Sequence, residues 1–189
     1  MSTNFNILII GVGGQGIGLL SEALIRAAHY AKISAKGVDT HGLAQRGGTV
    51  TSQIRLGSKA FSPLIQEGSA DIVIALERHE ALRGMNTYLK NGGDLVFYDA
   101  VWQALDVRMR QTEEINTKTI EAECKRREIS YHRVFKDDLK NSKMQNVVVL
   151  GYISKHKLIP GISKENYLQA IKDLLKGDLL EENLKVFEQ

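Results

Sequence analysis

Thiols are nearly absent from this chain: Cys124 is the one cysteine among 189 residues. A lone thiol closes no internal disulfide, and an iron–sulfur cluster takes about four thiolates. Neither a disulfide-stapled secreted fold nor a cluster held by this chain alone is expected, and a reducing, cytoplasmic setting suits the count. Proline is equally scarce, at two residues, which excludes collagen-like and proline-rich linker architectures. Long apolar runs are missing as well. The first 21 residues carry no charge, but Gly11, Gly13, Gly14, Gln15, Gly16 and Gly18 break that stretch and no basic segment precedes it, so neither a signal peptide nor a spanning helix is expected. Nor does one sign of charge dominate, with 25 Lys and Arg against 22 Asp and Glu.

What is present is ordinary in amount and uneven in placement. Hydrophobic residues at 43% and charged residues at 25% are those of a globular chain, and the length suits one domain over residues 1–189 with a core of its own. Residues 1–63 hold six Lys or Arg against two acids, and also ten of the 17 glycines. Glycine with cations and few acids suits backbone approach to an anion such as a phosphate, and not the broad basic face that binds nucleic acid.

Residues 5–10 read as a buried strand stopped by Gly11. Residues 16–31 follow as a helix, with Ile17, Leu20, Ala23, Leu24, Ala27 and Ala28 on one face. Residues 34–39 can return as a second strand, completing a unit long enough for a right-handed parallel crossover. Residues 49–56 alternate as a strand with one wet face, carrying Thr51, Gln53 and Arg55. A short helical stretch after Pro63, a buried strand at 71–76, a helix at 77–90 and a strand at 95–98 come next. A polar helix at 117–127, a strand at 129–134 and helices after Ser163 and from 179 close the chain, while 147–154 is apolar without a clear assignment. Ser163 with Asn166 makes only a partial capping box. Alternating strands and helices point to an α/β fold, Rossmann-like, with a mostly parallel sheet and helices on both faces.

Gly11-Val12-Gly13-Gly14-Gln15-Gly16 has the G-x-G-x-x-G spacing and lies between a strand and a helix, where the mechanism needs it. Gly11 permits the tight turn, Gly13 lets phosphates approach the backbone, and Gly16 allows close helix–strand packing. The same glycines also serve if they only shape the turn. Asp39, 23 positions beyond Gly16, is placed to accept from a ribose, but the polar segment after it argues against that role.

That segment runs His41-Gly42-Leu43-Ala44-Gln45-Arg46-Gly47-Gly48. Arg46 can fork two hydrogen bonds to a phosphate or carboxylate, Gln45 both donates and accepts, and Gly47 with Gly48 admits another backbone. A surface pair between Arg46 and Asp39 is the plainer alternative. His41 has no Cys or Ser nucleophile beside it. None of the six tyrosines has a lysine four residues later, so a short-chain reductase pair is missing, and no histidines have metal-ligand spacing. His79-Glu80 lacks the second histidine of a zinc protease, and Lys125-Arg126-Arg127 reads as a solvated helix face.

Gly-Val-Gly-Gly-Gln-Gly-Ile-Gly (11–18) together with His-Gly-Leu-Ala-Gln-Arg-Gly-Gly-Thr-Val (41–50) resembles the gamma-type domain of the 2-oxoacid:ferredoxin oxidoreductases. The resemblance covers nearly the whole chain in the order of elements, and its specific content lies in residues 5–57. The lead-in before Arg46-Gly47-Gly48 leans toward the aryl-pyruvate branch, which acts on indolepyruvate. Membership implies a subunit of an enzyme for oxidative decarboxylation, with coenzyme A accepting the acyl group and ferredoxin the electrons. Thiamine diphosphate, magnesium and 4Fe-4S clusters would sit mainly on a larger partner subunit. This chain would then be inactive alone, hold no catalytic or metal-ligating residue, and work in a hetero-oligomer without nucleic acid or membrane. Gly11, Gly13, Gly14, Gln15, Gly16, His41, Gln45, Arg46, Gly47 and Gly48 would meet a cofactor such as coenzyme A, or only the partner. A stand-alone NAD(P)-binding reductase or sensor is the competing reading.

Overall fold

The computed structural model describes residues 4–40, 48–101, 114–141 and 144–188. Six strands form one sheet: β1 (Phe5–Val12), β2 (Ala35–Thr40), β3 (Thr49–Leu56), β4 (Ala70–Ala75), β5 (Leu89–Tyr98) and β6 (Ser130–Val134). Among the described residues six helices accompany them: α1 (Ile17–Tyr30), α2 (Arg78–Tyr88), α3 (Thr117–Arg126), α4 (Gln145–His156), α5 (Lys164–Leu174) and α6 (Gly177–Phe187).

Because helices cover both faces, the buried stretches 7–10 of β1, 72–75 of β4 and 95–97 of β5 are apolar at successive positions and not at alternate ones. Ile7 and Ile9 of β1, Ile72 and Ile74 of β4 and Val96 of β5 face α1, α4, α5 and α6. Their neighbours Leu8, Ile10, Val73, Ala75, Leu95 and Phe97 face α2 and α3, where Met85 and Cys124 close the second core.

Strand order is β2-β3-β1-β4-β5-β6. β1, β4, β5 and β6 pair in parallel, while β3 runs antiparallel to both β1 and β2. The α/β class and mostly parallel sheet therefore agree with the sequence, but β1 and the strand that follows α1 are not neighbours: β3 stands between them. The reason lies in their side chains. β3 brings Ile54 and Leu56, both fully buried, whereas β2 exposes Lys36, Gly37, Asp39 and Thr40, so β3 takes the interior place and β2 the edge.

Further differences have local causes. Gln53 is buried and not on a wet face, because residues 57–69 cover it and Ile65 N–H donates to its Oε1 at 2.6 Å. No helix follows Pro63, since that backbone is held by Gln53 and turns at Gly68 with φ 68°. The second helix ends at Tyr88, earlier than its glycines suggest, because Leu89 already pairs with Ala70 and an irregularity lets β5 resume at Asp94 opposite Ile72. The unassigned apolar segment is α4, and α6 begins two residues early, at Gly177. Asn166 completes the capping box after all, its Oδ1 accepting from Ser163 N–H at 2.9 Å.

Candidate functional site

The glycine loop leaves β1 at the carboxyl end of the parallel strands, where folds of this class place ligands. Gly14 and Gly16 adopt φ of 103° and 82°, a region other residues rarely enter. Gly11 answers a different need: a Cβ there would stand 2.8 Å from the side-chain oxygen of Gln15. That side chain is fully buried. Its Oε1 accepts from Val12 N–H at 2.7 Å and its Nε2 donates to the Leu76 carbonyl at 2.9 Å, lacing the ends of β1 and β4 together.

Gly16 begins α1 with no side-chain cap, and the first turn carries no acid. The open amides and dipole of that turn favour an anion, and Gly14 and Gly18 beside it are exposed. Gly13 N–H, however, points elsewhere, donating to the Gly48 carbonyl at 3.0 Å. This bond joins the glycine loop to the end of the second motif. His41, Gln45, Arg46 and Gly47 lie outside the described residues. Asp39 is exposed on β2, and its Oδ1 accepts from the Ser21 hydroxyl at 3.2 Å, which in turn lies 2.7 Å from Ser52 Oγ.

Several side chains at this end are not singled out by the sequence. Thr49, opposite Val12, donates its hydroxyl to Glu80 Oε1 at 3.0 Å, and Glu80 is only 1% exposed. Glu77, wholly buried, caps α2 by accepting from Glu80 N–H at 2.8 Å. Burial pushes both carboxyls up from the ordinary range, against the backbone amides that lower Glu77 and the Arg83 guanidinium that lowers Glu80. Asn146 of α4 reaches across and donates from Nδ2 to the Gly16 carbonyl at 3.1 Å. Further along the same edge, buried Asp99 accepts from Arg78 and, at 2.6 Å, from Arg133 Nε. Burial works against ionisation there, but the two guanidiniums prevail and hold Asp99 below its usual value. In the sequence Glu80 appears only in the incomplete His79-Glu80 pair and Glu77 only as the start of a helix; the periodicity of their neighbours carries no sign of their burial.

Among the described residues the arrangement offers amide donors and a shaped glycine turn. Among the described residues no group of three or more His, Cys, Asp or Glu could hold a metal ion, and no helix is long and apolar enough to cross a membrane. Cys124 is buried with its thiol 3.4 Å from Met85 Sδ, and burial raises its pKa to about 11.

Comparison with known proteins bears on the same fold. The indolepyruvate oxidoreductase subunit IorB of Archaeoglobus fulgidus is 32% identical over 197 residues, covering 97% of this chain and 92% of the relative. Two solved structures share the fold. The gamma subunit of keto/oxoacid ferredoxin oxidoreductase from Geobacter sulfurreducens superposes with a TM-score of 0.63 at 21% identity, covering 97% of this chain and 94% of that one. A 2-oxoglutarate:ferredoxin oxidoreductase from Magnetococcus marinus, with 2-oxoglutarate, coenzyme A and succinyl-CoA bound, gives 0.68 at 18% identity, covering all of this chain and 30% of that one. The profile of the Pyruvate ferredoxin/flavodoxin oxidoreductase family matches residues 6–189, and it is to this family that the chain, with its glycine loop laced to Gly48 at the carboxyl end of the sheet, belongs.

Proposed function

We propose that this chain is the smaller subunit of a cytoplasmic indolepyruvate:ferredoxin oxidoreductase, and that its glycine loop and residues 41–48 hold the anionic part of coenzyme A at the cleft shared with a larger subunit. The Gly13–Gly48 hydrogen bond carries this reading, because it draws both motifs to one place beside an uncapped helix N-terminus. Support for the substrate comes from the name of the Archaeoglobus relative, and for the ligand from the coenzyme A in the Magnetococcus structure.

The residues present fit that ligand in kind. Exposed Gly14, the open first turn of α1 and Arg46 supply donors for phosphate oxygens, and a guanidinium forks to such a group in a way an ammonium does not. Bound there, coenzyme A would supply the thiol that accepts the acyl group, while this chain binds and orients it. Among the described residues no three or more His, Cys, Asp or Glu gather to hold a metal, and the one thiol is buried against Met85, which supports leaving thiamine diphosphate, magnesium and 4Fe-4S clusters to another chain. They fall to the larger subunit, and ferredoxin meets the complex. The competing NAD(P) reading is less well supported, since Asp39 lies on edge strand β2 and β3 stands between it and β1.

Reconstitution with the larger subunit tests this. Dye reduction that depends on both indolepyruvate and coenzyme A is expected from the complex and not from the chain alone. Arg46→Ala should raise the KM for coenzyme A at least about tenfold, equivalent to ~1.4 kcal/mol, and Arg46→Lys should recover little of it. Turnover by the isolated chain, or an unchanged KM in both variants, would overturn the assignment.

A further inference from the structure

Glu80 is buried to 1% although it carries a carboxylate, and its burial is not explained by capping α2, which Glu77 does. Its Oε2 lies 3.4 Å from Arg83 Nε, and its Oε1 is the acceptor for Thr49 Oγ1 at 3.0 Å. Thr49 is the first residue of β3 and pairs with Val12, the last residue of β1. The residue before it, Gly48, receives Gly13 N–H at 3.0 Å. A continuous path of contacts thus runs from the first turn of α2 through Thr49 and Gly48 into the glycine loop. Burying an acid is unfavourable, and a plain core position would be filled more stably by an apolar side chain. The placement makes sense if the acceptor at Glu80 is needed to fix Thr49.

We propose that Glu80 is a positioning residue: by accepting the Thr49 hydroxyl it holds the Gly48 carbonyl on the Gly13 amide, and so sets the shape of the turn that receives the anionic ligand. This rests on the reading that the glycine loop binds coenzyme A. Gly13 N–H, once fixed on Gly48, leaves the remaining donors of the turn and the first turn of α1 facing outward as a preset group. Without the anchor the end of β3 frays, the loop samples other shapes, and binding has to supply the ordering.

Thr49→Val removes the hydroxyl while keeping the shape, Thr49→Ser retains it, Glu80→Gln keeps an acceptor, and Glu80→Leu removes it. Two readouts are taken, steady-state kinetics of the reconstituted complex and amide hydrogen exchange of the free chain. Thr49→Val and Glu80→Leu should each raise the KM for coenzyme A at least about fivefold with kcat and the 2-oxoacid KM within about twofold. Exchange at Gly13, Gly48 and Thr49 should quicken at least about tenfold while the central strands stay protected. Thr49→Ser and Glu80→Gln should restore both, and the double variant Thr49→Val with Glu80→Leu should be no worse than either alone. Wild-type exchange in Thr49→Val overturns the proposal. So does faster exchange with an unchanged KM, which would leave the contact a matter of folding only. If Glu80→Leu fails to fold, the Thr49 pair decides. If the wild-type complex shows no dependence on coenzyme A, it is the functional reading that fails, and the exchange data still decide whether Glu80 shapes the loop.

Discussion

The carboxamide of Gln15 is committed at both ends to backbone groups of other strands, Val12 N–H and the Leu76 carbonyl. Removing it leaves a buried donor and a buried acceptor without partners, each worth about 1 to 3 kcal/mol. Gln15→Ala should therefore lower the free energy of unfolding by about 2 to 4 kcal/mol, read from urea denaturation of the free chain. A loss under about 0.5 kcal/mol would show that water replaces both contacts. In the sequence the same residue is one more polar group in a ligand-binding fingerprint. Spacing places Gln15 in the turn, but which backbone groups its amide meets depends on β4, some sixty residues away. Arg127 is a similar case. It reads as part of a solvated basic run, yet its guanidinium donates to the Met85 and Leu89 carbonyls and pins the end of α2.

At the scale of elements, close approach decides which glycines are replaceable. Gly151, in the middle of α4, has the Phe187 carbonyl oxygen 2.6 Å from where a Cβ would stand, so α6 crosses α4 against bare backbone. Gly18, in the first turn of α1, has open space around it. Gly151→Ala should destabilise by about 1 to 3 kcal/mol through overpacking, whereas Gly18→Ala should stabilise by about 0.5 to 1 kcal/mol through helix propensity. Opposite shifts in melting temperature are the expected result, and shifts of the same sign would refute the packing of α6 on α4. The types of most elements were legible from periodicity alone, because β1, β4 and α1 have unambiguous patterns and glycine stops. Their order in the sheet was not. Chain order suggests that residues 35–40 lie beside β1, but the place goes to residues 49–56, which have more apolar surface to bury. α4 escaped assignment for a related reason, since a helix buried on most sides shows no amphipathic period.

For the whole molecule, the buried acids set how stability follows pH. Glu77 and Glu80 have folded pKa values raised by burial, so the folded state holds more protons than the unfolded chain just above the ordinary carboxylate range. Their contribution is present in full below the unfolded pKa and is lost as pH rises through the folded one. Asp99, held down by Arg78 and Arg133 in spite of its burial, acts in the other sense: its contribution is present above the unfolded pKa and fades as pH falls through the folded value. From these groups alone, stability should be highest around the ordinary carboxylate range and fall on either side of it. Glu80→Gln, which keeps an acceptor for Thr49 and cannot ionise, should lose less stability than wild type as pH rises above the ordinary carboxylate range, as measured by urea midpoints. Parallel curves for the two proteins would mean that Glu80 does not titrate above that range.

The insertion of β3 between β1 and β2 also works as a ruler. Adjacent strands lie about 4.8 Å apart, so the tip of β2, where Asp39 stands, is displaced from the glycine turn by about 10 Å instead of one strand spacing. In a dinucleotide fold the turn grips a diphosphate and the next strand reads the sugar joined to it, and the two readings are tied by the fixed length of the ligand. Here the link is severed by topology alone, with every glycine of the fingerprint still in place. The turn is freed to serve molecules of another length, and the gap that opens beside it falls to Gly48 and Thr49. Selectivity is thereby written into the order of the strands before any side chain is chosen.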